Sequence, residues 1–496
     1  MSSSPLEILP SELWQWIFCL LPGRDLYHGA QLVCRSFHDI IKGSPELQYL
    51  IALFHEGMVD TGSSNLPFSD RFRLLHNRRA AWDNLNWELF PKDISPHGPR
   101  HAFGFVGGLF AALSISRNNF AVIRLPLKTS PSKQTVFAQL DIRFFDFLFD
   151  PTQDVVILLA KDTGPEERYF MHVRSLTDTK PHPGAHQPVL SMREVLDSTS
   201  AVFQLDGDLV GCLQGGATSH LEIWNWKSGQ RLVEIEDDGF HHDVPHVFTF
   251  LDPNSYAVAC QLGQGSGCLR IFTLASQSAP VATLLFPELV GDQKWYLSDI
   301  SLEPSARICY RLSDRVFTTS PDVRVHTIRL EYKHREGPEE TLDFLMLFRN
   351  DGILPFTTHS DESELIVPWD DWGPRNTRMI PIAFEEGWSS SNSYGSRVIL
   401  SDYGTHKLEI MDFNYHRPPD PLAMSKGFIR RHAEPSTISR PQLFNKDVVT
   451  TLPFFRLVKE LPEDFWDREM EYMIDEDRIL GKMTLTQESW LYTLAL

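Results

Sequence analysis

Hydrophobic residues along this chain change their rhythm near residue 100, from helical spacing before it to short alternating runs after it. From Leu13 to Leu21 only Gln15 is clearly polar, so apolar side chains cover the whole circumference of the helix predicted there. Leu9, ahead of a proline, is held extended, and Pro10 suits the first helical turn, where a missing N–H costs nothing. Pro22-Gly23 ends the helix. A second short helix is expected from Asp25 to Leu32. A third carries Val33, Cys34, Phe37, Ile40 and Ile41 on one stripe, with Arg35, Ser36, His38 and Asp39 opposite, and stops at Gly43-Ser44-Pro45. Pro45 to Phe54 continues helical, a loop is expected from Gly57 to Pro67, and a further helix starts at Ser69. That last helix carries Arg71, Arg73, Arg78 and Arg79, a pattern more common on a solvated face than in a binding patch.

A helix that is apolar all round must be covered all round. A unit of about forty residues cannot do this alone. Either the rest of the chain or another protein takes the second face. Leu9-Pro10-Ser11-Glu12-Leu13, Ile17-Phe18, Leu21-Pro22, Asp25-Leu26, Ala30 and Val33-Cys34-Arg35-Ser36-Phe37 resemble the F-box in residue type and spacing. Phe37 stands where that motif usually has tryptophan. The resemblance implies docking on a Skp-type adaptor and, through it, on a cullin scaffold. By position it implies that Leu9, Pro10, Leu13, Ile17, Leu20, Leu26, Val33 and Cys34 contact the adaptor.

After residue 100 two markers recur. One is a strand end, an acid and a turn: Asp150-Pro151-Thr152, Asp206-Gly207-Asp208, Asp252-Pro253-Asn254 and Glu303-Pro304-Ser305. The other is a strand holding Ile123-Arg124-Leu125, Val173-Arg174-Ser175, Trp224-Asn225-Trp226, Phe272-Thr273-Leu274, Ile328-Arg329-Leu330 and, after an irregular stretch, Met411-Asp412-Phe413. A shared period of about fifty residues with four strands per unit indicates a β-propeller. Leu221 to Gly229 resembles a WD-repeat strand and turn, but Gly-His dipeptides are missing and the Trp-Asp pairs at 82, 369 and 466 fall off the repeat. The whole chain resembles a fungal class of F-box proteins with a divergent C-terminal propeller. The expected fold is α+β and multidomain: a helical F-box over residues 1–45, linker helices over 46–98, and a mainly antiparallel, propeller-like domain of six to eight blades over 99–496. The strand at Trp490 to Leu494 is expected to close the ring beside an early strand near Phe103 to Phe110.

Composition narrows the functions. With 46 Lys plus Arg against 65 Asp plus Glu, the net charge of −19 disfavours nucleic acid or an anionic membrane as partner. The longest nearly apolar stretch, Phe103 to Ile115, is too short to span a bilayer. The start of the sequence lacks the cationic run of a signal peptide, and scattered cysteines fit a reducing compartment, cytoplasmic or nuclear. His241-His242-Asp243-Val244-Pro245-His246 and Leu262-Gly263-Gln264-Gly265-Ser266-Gly267 read as loops, not as metal or phosphate sites. No catalytic residue, cofactor site or metal site is expected. Between Glu336 and Glu386 twelve acids face three arginines, a net −9, read as a solvated insertion or a surface for basic partners. The resemblance makes the chain a non-catalytic substrate receptor of a ubiquitin ligase. A scaffold holding the adaptor outside degradation is the alternative, with a propeller-fold, metal-dependent hydrolase behind it.

Overall fold

The computed structural model describes residues 9–62, 64–94, 100–114, 118–126, 134–162, 168–193, 201–214, 219–236, 240, 243–263, 265–276, 279–291, 294–303, 315–335, 341–358, 364–382, 393–402, 407–417, 421–427, 429–461, 470–484 and 489–495. The amino-terminal part is helical: α1 (Ser11–Cys19), short turns over Gly23–Asp25, Leu26–Ala30 and Gln31–Val33, α2 (Arg35–Gly43), α3 (Pro45–Glu56) and α4 (Phe68–Asp83). Cys34 and Ser44 cap α2 and α3 by accepting the amides of Phe37 and Leu47, which satisfies donors that a helix start leaves free.

The remainder is β structure. Among the described residues, seven antiparallel sheets of four or five strands follow one another. Sheet 1 holds Arg100–Val106, Leu109–Ser114, Asn119–Arg124 and Gln134–Gln139; sheet 2 holds Phe144–Asp150, Val155–Lys161, Tyr169–Ser175 and Val189–Met192. Sheet 3 holds Ala201–Asp206, Leu209–Gln214, His220–Asn225 and Gln230–Ile235. Sheet 4 runs Val244–Asp252, Ser255–Gln261, Gly267–Thr273 and Ala282–Leu285, with Leu365–Val367 added in parallel at its edge. Sheet 5 holds Trp295–Glu303, Val325–His334, Thr341–Arg349 and Thr377–Ile382. Sheet 6 holds Ser393–Tyr394, Arg397–Asp402, Lys407–Asp412 and Phe454–Glu460, edged by Ile429–His432. Sheet 7 takes Met470–Ile474, Arg478–Thr484 and Ser489–Ala495 from the end of the chain and Glu88–Ile94 from its first fifth.

That last pairing corrects the expected closure. Ser489–Ala495 lies antiparallel to Glu88–Ile94, with Leu494 opposite Leu89, and not beside Phe103 to Phe110. The β domain therefore begins within the stretch read as linker helices. A strand contributed from the far end of the sequence ties the two ends of the ring together within one sheet.

The core explains why the sheets form a ring. Each consecutive pair shares one apolar cluster: Phe120 with Phe147 between sheets 1 and 2, Met171 with Trp224 between 2 and 3, and Ile223 with Phe248 between 3 and 4. Leu269 and Phe344 share the fourth cluster, Leu347 and Met411 the fifth, and Ile410 and Ile479 the sixth. Phe110, Ile123, Leu480 and Leu491 then join sheet 7 to sheet 1. Seven such junctions make a closed seven-bladed propeller. A polar tie reinforces the last of them, since Arg478 donates to the Pro126 carbonyl at 3.1 Å.

The first sequence marker falls on the turn between first and second strands in sheets 2 to 4, its fourth instance at Pro304-Ser305 lying outside the described residues, and the second falls on the third strand of sheets 1 to 4. In sheet 5 Ile328-Arg329-Leu330 lies one strand early, because the third strand there is Thr341–Arg349. The expected strand at Ile308-Cys309-Tyr310 lies outside the described residues. The acidic stretch is not a separate insertion over its described part: it supplies two strands of sheet 5 and α5 (Trp369–Asn376), and Asp343, Asp351 and Asp370 pair with Arg329, Arg349 and Lys446.

Candidate protein-docking interface

The helical unit has two unlike surfaces. Its own small core holds Phe18, Leu26, Ile41, Leu47 and Ile51, with Trp14 and Phe37 packed 4.7 Å apart between ring centres. Only one side of α1 goes into that core. Leu13, Trp16, Ile17 and Leu20, spaced at three- and four-residue steps, share the opposite side, and Leu20 and Trp16 are 84 % and 73 % exposed. Leu32 and Val33, at 71 % and 68 %, extend the apolar surface from the turn before α2. Among the described residues, all six side chains remain exposed.

Of the residues expected to contact an adaptor, Leu13, Ile17, Leu20 and Val33 lie on this exposed surface, and Pro10 is exposed at the start of α1. Leu9 is half-buried. Cys34 is half-buried and spends its sulfur on the Phe37 amide. Leu26 is wholly buried and belongs to the unit's own core, so it supports the surface and does not form it. Trp16 and Leu32 share this surface but were not among the expected contacts; the three-residue offset of Trp16 from Leu13 and the adjacency of Leu32 to Val33 were the available signals.

The other surface of the unit is charged and buried. Arg417 of the β domain is 2.6 Å from Asp83 of α4 and 4.0 Å from Glu56 of α3, and Arg79 bridges the same two carboxylates. Arg78 and Arg315 both meet Asp477, in the first turn of sheet 7, and Arg315 is 2.5 Å from Glu476. Trp82 donates its indole N–H to the Glu476 carbonyl at 3.2 Å, and the Arg397 guanidinium lies 4.2 Å from the centre of its ring. The arginine cluster of α4 is thus not a solvated face: Arg71, Arg78 and Arg79 are engaged, while Arg73 is exposed.

Burial would raise the Asp412 carboxyl, but Arg397 and Arg417 hold it below its ordinary range. For Glu56 burial wins over Arg417 and Arg79, and its pKa is raised. His416, packed 5.2 Å from Phe54 of α3, is pushed down to about 4 by burial and then by Arg349.

Backbone ties complete the junction. Met58–Asp60, in the stretch read as a loop, pairs with Phe317–Thr319. Asn414 donates to the His55 carbonyl at 2.8 Å, and the Ser320 amide to the Gly57 carbonyl at 2.8 Å. Gly57 is left-handed, and a Cβ there would meet Val323 at 3.0 Å, so the tight passage from α3 to the strand needs glycine. Tyr49 and Leu53 of α3 meet Met58 and Leu75 in a cluster that touches Phe317. α3 is therefore a wall shared by the helical core and the propeller.

These contacts fall on the end of the ring where sheets 5, 6 and 7 turn from first to second strand. Consecutive turns of an antiparallel sheet alternate between its ends. The opposite end, which carries turns such as Leu262–Ser266 of sheet 4, faces away from the helices. The described part of that Gly-rich segment is a hairpin connection, with Gly265 donating to the Leu262 carbonyl. Of the histidine run, His241 and His242 lie outside the described residues, and His246 pairs with Asp299 at 3.3 Å. Among the described residues no three His, Cys, Asp or Glu side chains converge as a metal set.

A family model described as F-box-like matches residues 6–47, the segment that holds α1, α2 and the exposed apolar surface. The chain carries an F-box. No curated protein matches it. Among solved structures it is similar to the WD40 domain of Toxoplasma gondii coronin, at 6 % identity over 82 % of this chain and 87 % of that one, with a TM-score of 0.38. The WD40 domain of SCAP from fission yeast is similar at 8 % identity over 80 % and 84 %, with a TM-score of 0.34. The propeller assignment rests on the chain's own strand registers and seven junctions.

Proposed function

We propose that this protein is a substrate receptor of a Skp–cullin–F-box ubiquitin ligase in the cytoplasm or nucleus. The observation that carries the reading is the exposed apolar surface of Leu13, Trp16, Ile17, Leu20, Leu32 and Val33 on helices that match the F-box-like model. An apolar surface of this kind marks a protein interaction site. In this reading a Skp-type adaptor covers it and links the chain to a cullin. The propeller then holds a target protein near the ubiquitin-charged partner, so that transfer follows from proximity and the chain contributes no bond chemistry.

The geometry suits that role. The helical unit is bound to the propeller by buried ion pairs and a shared wall, so the adaptor surface and the propeller keep a fixed relation. The test is co-expression of the full chain with a Skp-type adaptor and a cullin. Co-purification of all three, with ubiquitin transfer to captured protein, supports the receptor. Adaptor without cullin supports a scaffold role instead, and no adaptor at all overturns both.

A further inference from the structure

A cleft of about 620 Å³ opens between the outer strand of sheet 5, Thr377–Ile382, and the outer part of sheet 6. Its lining includes Met379, Met411, Ile438 and Phe454 together with Arg378, His432, Arg440 and Arg456. Arg378 is only 3 % exposed. Its Nε donates to the Leu452 carbonyl at 2.9 Å and its Nη1 to the carbonyls of Glu434 and Thr450, while Nη2 has no hydrogen-bond partner among the described residues. No carboxylate among those residues forms an ion pair with it. Buried arginines are normally paired with an anion, because neutral carbonyls do not cancel the charge.

Two more nitrogens in the same wall are without partners among the described residues. His432 Nε2 and Arg456 Nε lack partners, although Arg456 pairs through Nη2 with Glu409. His432 stacks on Phe454 with ring centres 4.8 Å apart, and the Arg378 guanidinium lies 5.2 Å from the same ring. Arg440 is exposed at the cleft and its side chain makes no described contact. The acids are Glu409, already paired, and the exposed Glu434. In a chain of net charge −19, the wall carries three arginines against two carboxylates, beside apolar surface.

We propose that this cleft is an anion-recognition site that takes an acidic segment of a protein partner. An Asp or Glu carboxylate meets Arg378 and Arg440, and an adjacent apolar side chain packs on Phe454 and Met411. A cavity of this size holds two or three side chains, and charge-assisted hydrogen bonds to guanidinium supply the selectivity. Burial lowers the Arg378 pKa, and among the described residues its partners are neutral carbonyls and the Phe454 ring, with no anion beside it. The site deepens the receptor reading, since it names the chemistry the β domain would select in a target.

The test uses a random twelve-residue peptide display library selected on the full-length chain at low salt. The strongly negative protein would by itself favour basic peptides, so enrichment of Asp or Glu next to apolar residues runs against the background. The expected result is such enrichment, with at least tenfold weaker binding of the selected peptides to Arg440→Glu and to Arg378→Gln. Arg440 has no structural contact to lose, so its variant keeps the test valid if Arg378→Gln unfolds. Selected peptides without acids, or acidic peptides that bind the Arg440→Glu variant as well as wild type, would overturn the proposal. Both variants should still capture a Skp-type adaptor; failure of the wild type to do so would sink the receptor reading and leave the peptide result standing.

Discussion

The two surfaces of the helical unit differ in chemistry. The outer one is apolar and exposed: Leu13, Trp16, Ile17, Leu20, Leu32 and Val33 all keep a substantial part of their surface open to solvent. The inner one is charged and buried: Arg417, Asp83, Glu56, Arg79, Arg397 and Asp412 lie between helices and propeller. An apolar surface suits association with a separate protein, since burying it gains roughly 25 cal/mol per Å² whatever the exact register. A buried ion network gains less net energy, but it holds only one geometry, because every misplaced partner leaves a charge stranded. In this molecule the exposed face is apolar and the contact with the propeller is in large part ionic. That contact sets orientation.

The largest effect should come from breaking the ionic side. Arg417→Met leaves the buried Asp83 and Glu56 with Arg79 as their one remaining ion-pair partner among the described residues, and removal of one partner of such a pair costs roughly 3–5 kcal/mol. Limited proteolysis should then cut the chain between α4 and the strand Glu88–Ile94, and thermal unfolding should fall by several degrees. Adding Asp83→Asn to that variant should recover part of the loss. A single Arg417→Met that leaves both readouts unchanged would remove the ionic face from the account.

Acid should weaken the same side by a smaller amount. His416 has a folded pKa of about 4, below its ordinary 6.5, so the unfolded chain binds the proton first. Stability therefore rises with pH across that window and is lost as pH falls from 6.5 toward 4. His326, pushed down to about 3 by burial and then Arg324, acts with the same sign inside the propeller. Glu56, raised by burial, acts with the opposite sign and offsets part of the loss at the acidic end. The melting temperature measured from pH 7 to pH 5 should fall, and His416→Phe should flatten that slope. An unchanged slope in the variant would show that this ring does not titrate as described.

The smallest effect is expected at Arg73, the exposed member of the α4 cluster. Its pair with Asp70 is solvent-exposed, and such pairs are worth roughly 0–1 kcal/mol. Arg73→Ala should leave the melting temperature within about a degree, whereas Arg78→Ala should not, since Arg78 faces Asp477 across the junction. Equal losses from both would blur the contrast between engaged and solvated arginines.

The apolar side was legible in the sequence, and the ionic side was not. Leu13 to Leu21 announces an over-covered helix because apolar residues on every side of one element can be read from one segment. Arg417 and Asp83 are 334 positions apart, and charge alone does not say which distant acid an arginine meets. That is why Arg78 and Arg79 read as solvated. The fifty-residue period revealed repeated four-stranded sheets, yet it could not place the closing strand: Glu88–Ile94 precedes the first repeat and carries neither marker. Leu26 matches the adaptor-binding pattern by position but is spent on the unit's core, since a motif records spacing and not the side to which each residue turns. The Arg378 cleft had no sequence signal, because an unpaired guanidinium is defined by what is absent around it.

The most direct test of the contrast is the affinity of the purified full chain for a purified Skp-type adaptor, measured by titration calorimetry for wild type and for the Ile17→Ser/Leu20→Ser double variant. Both side chains are exposed on α1 and outside the helical core, so the variant's melting temperature should match wild type. If they anchor the adaptor, losing them should cost about 2 kcal/mol or more, a rise in Kd of about thirtyfold or greater. A Kd equal to wild type with an intact fold would mean that the exposed apolar surface is not the docking site, and the division of labour between the two faces would fail.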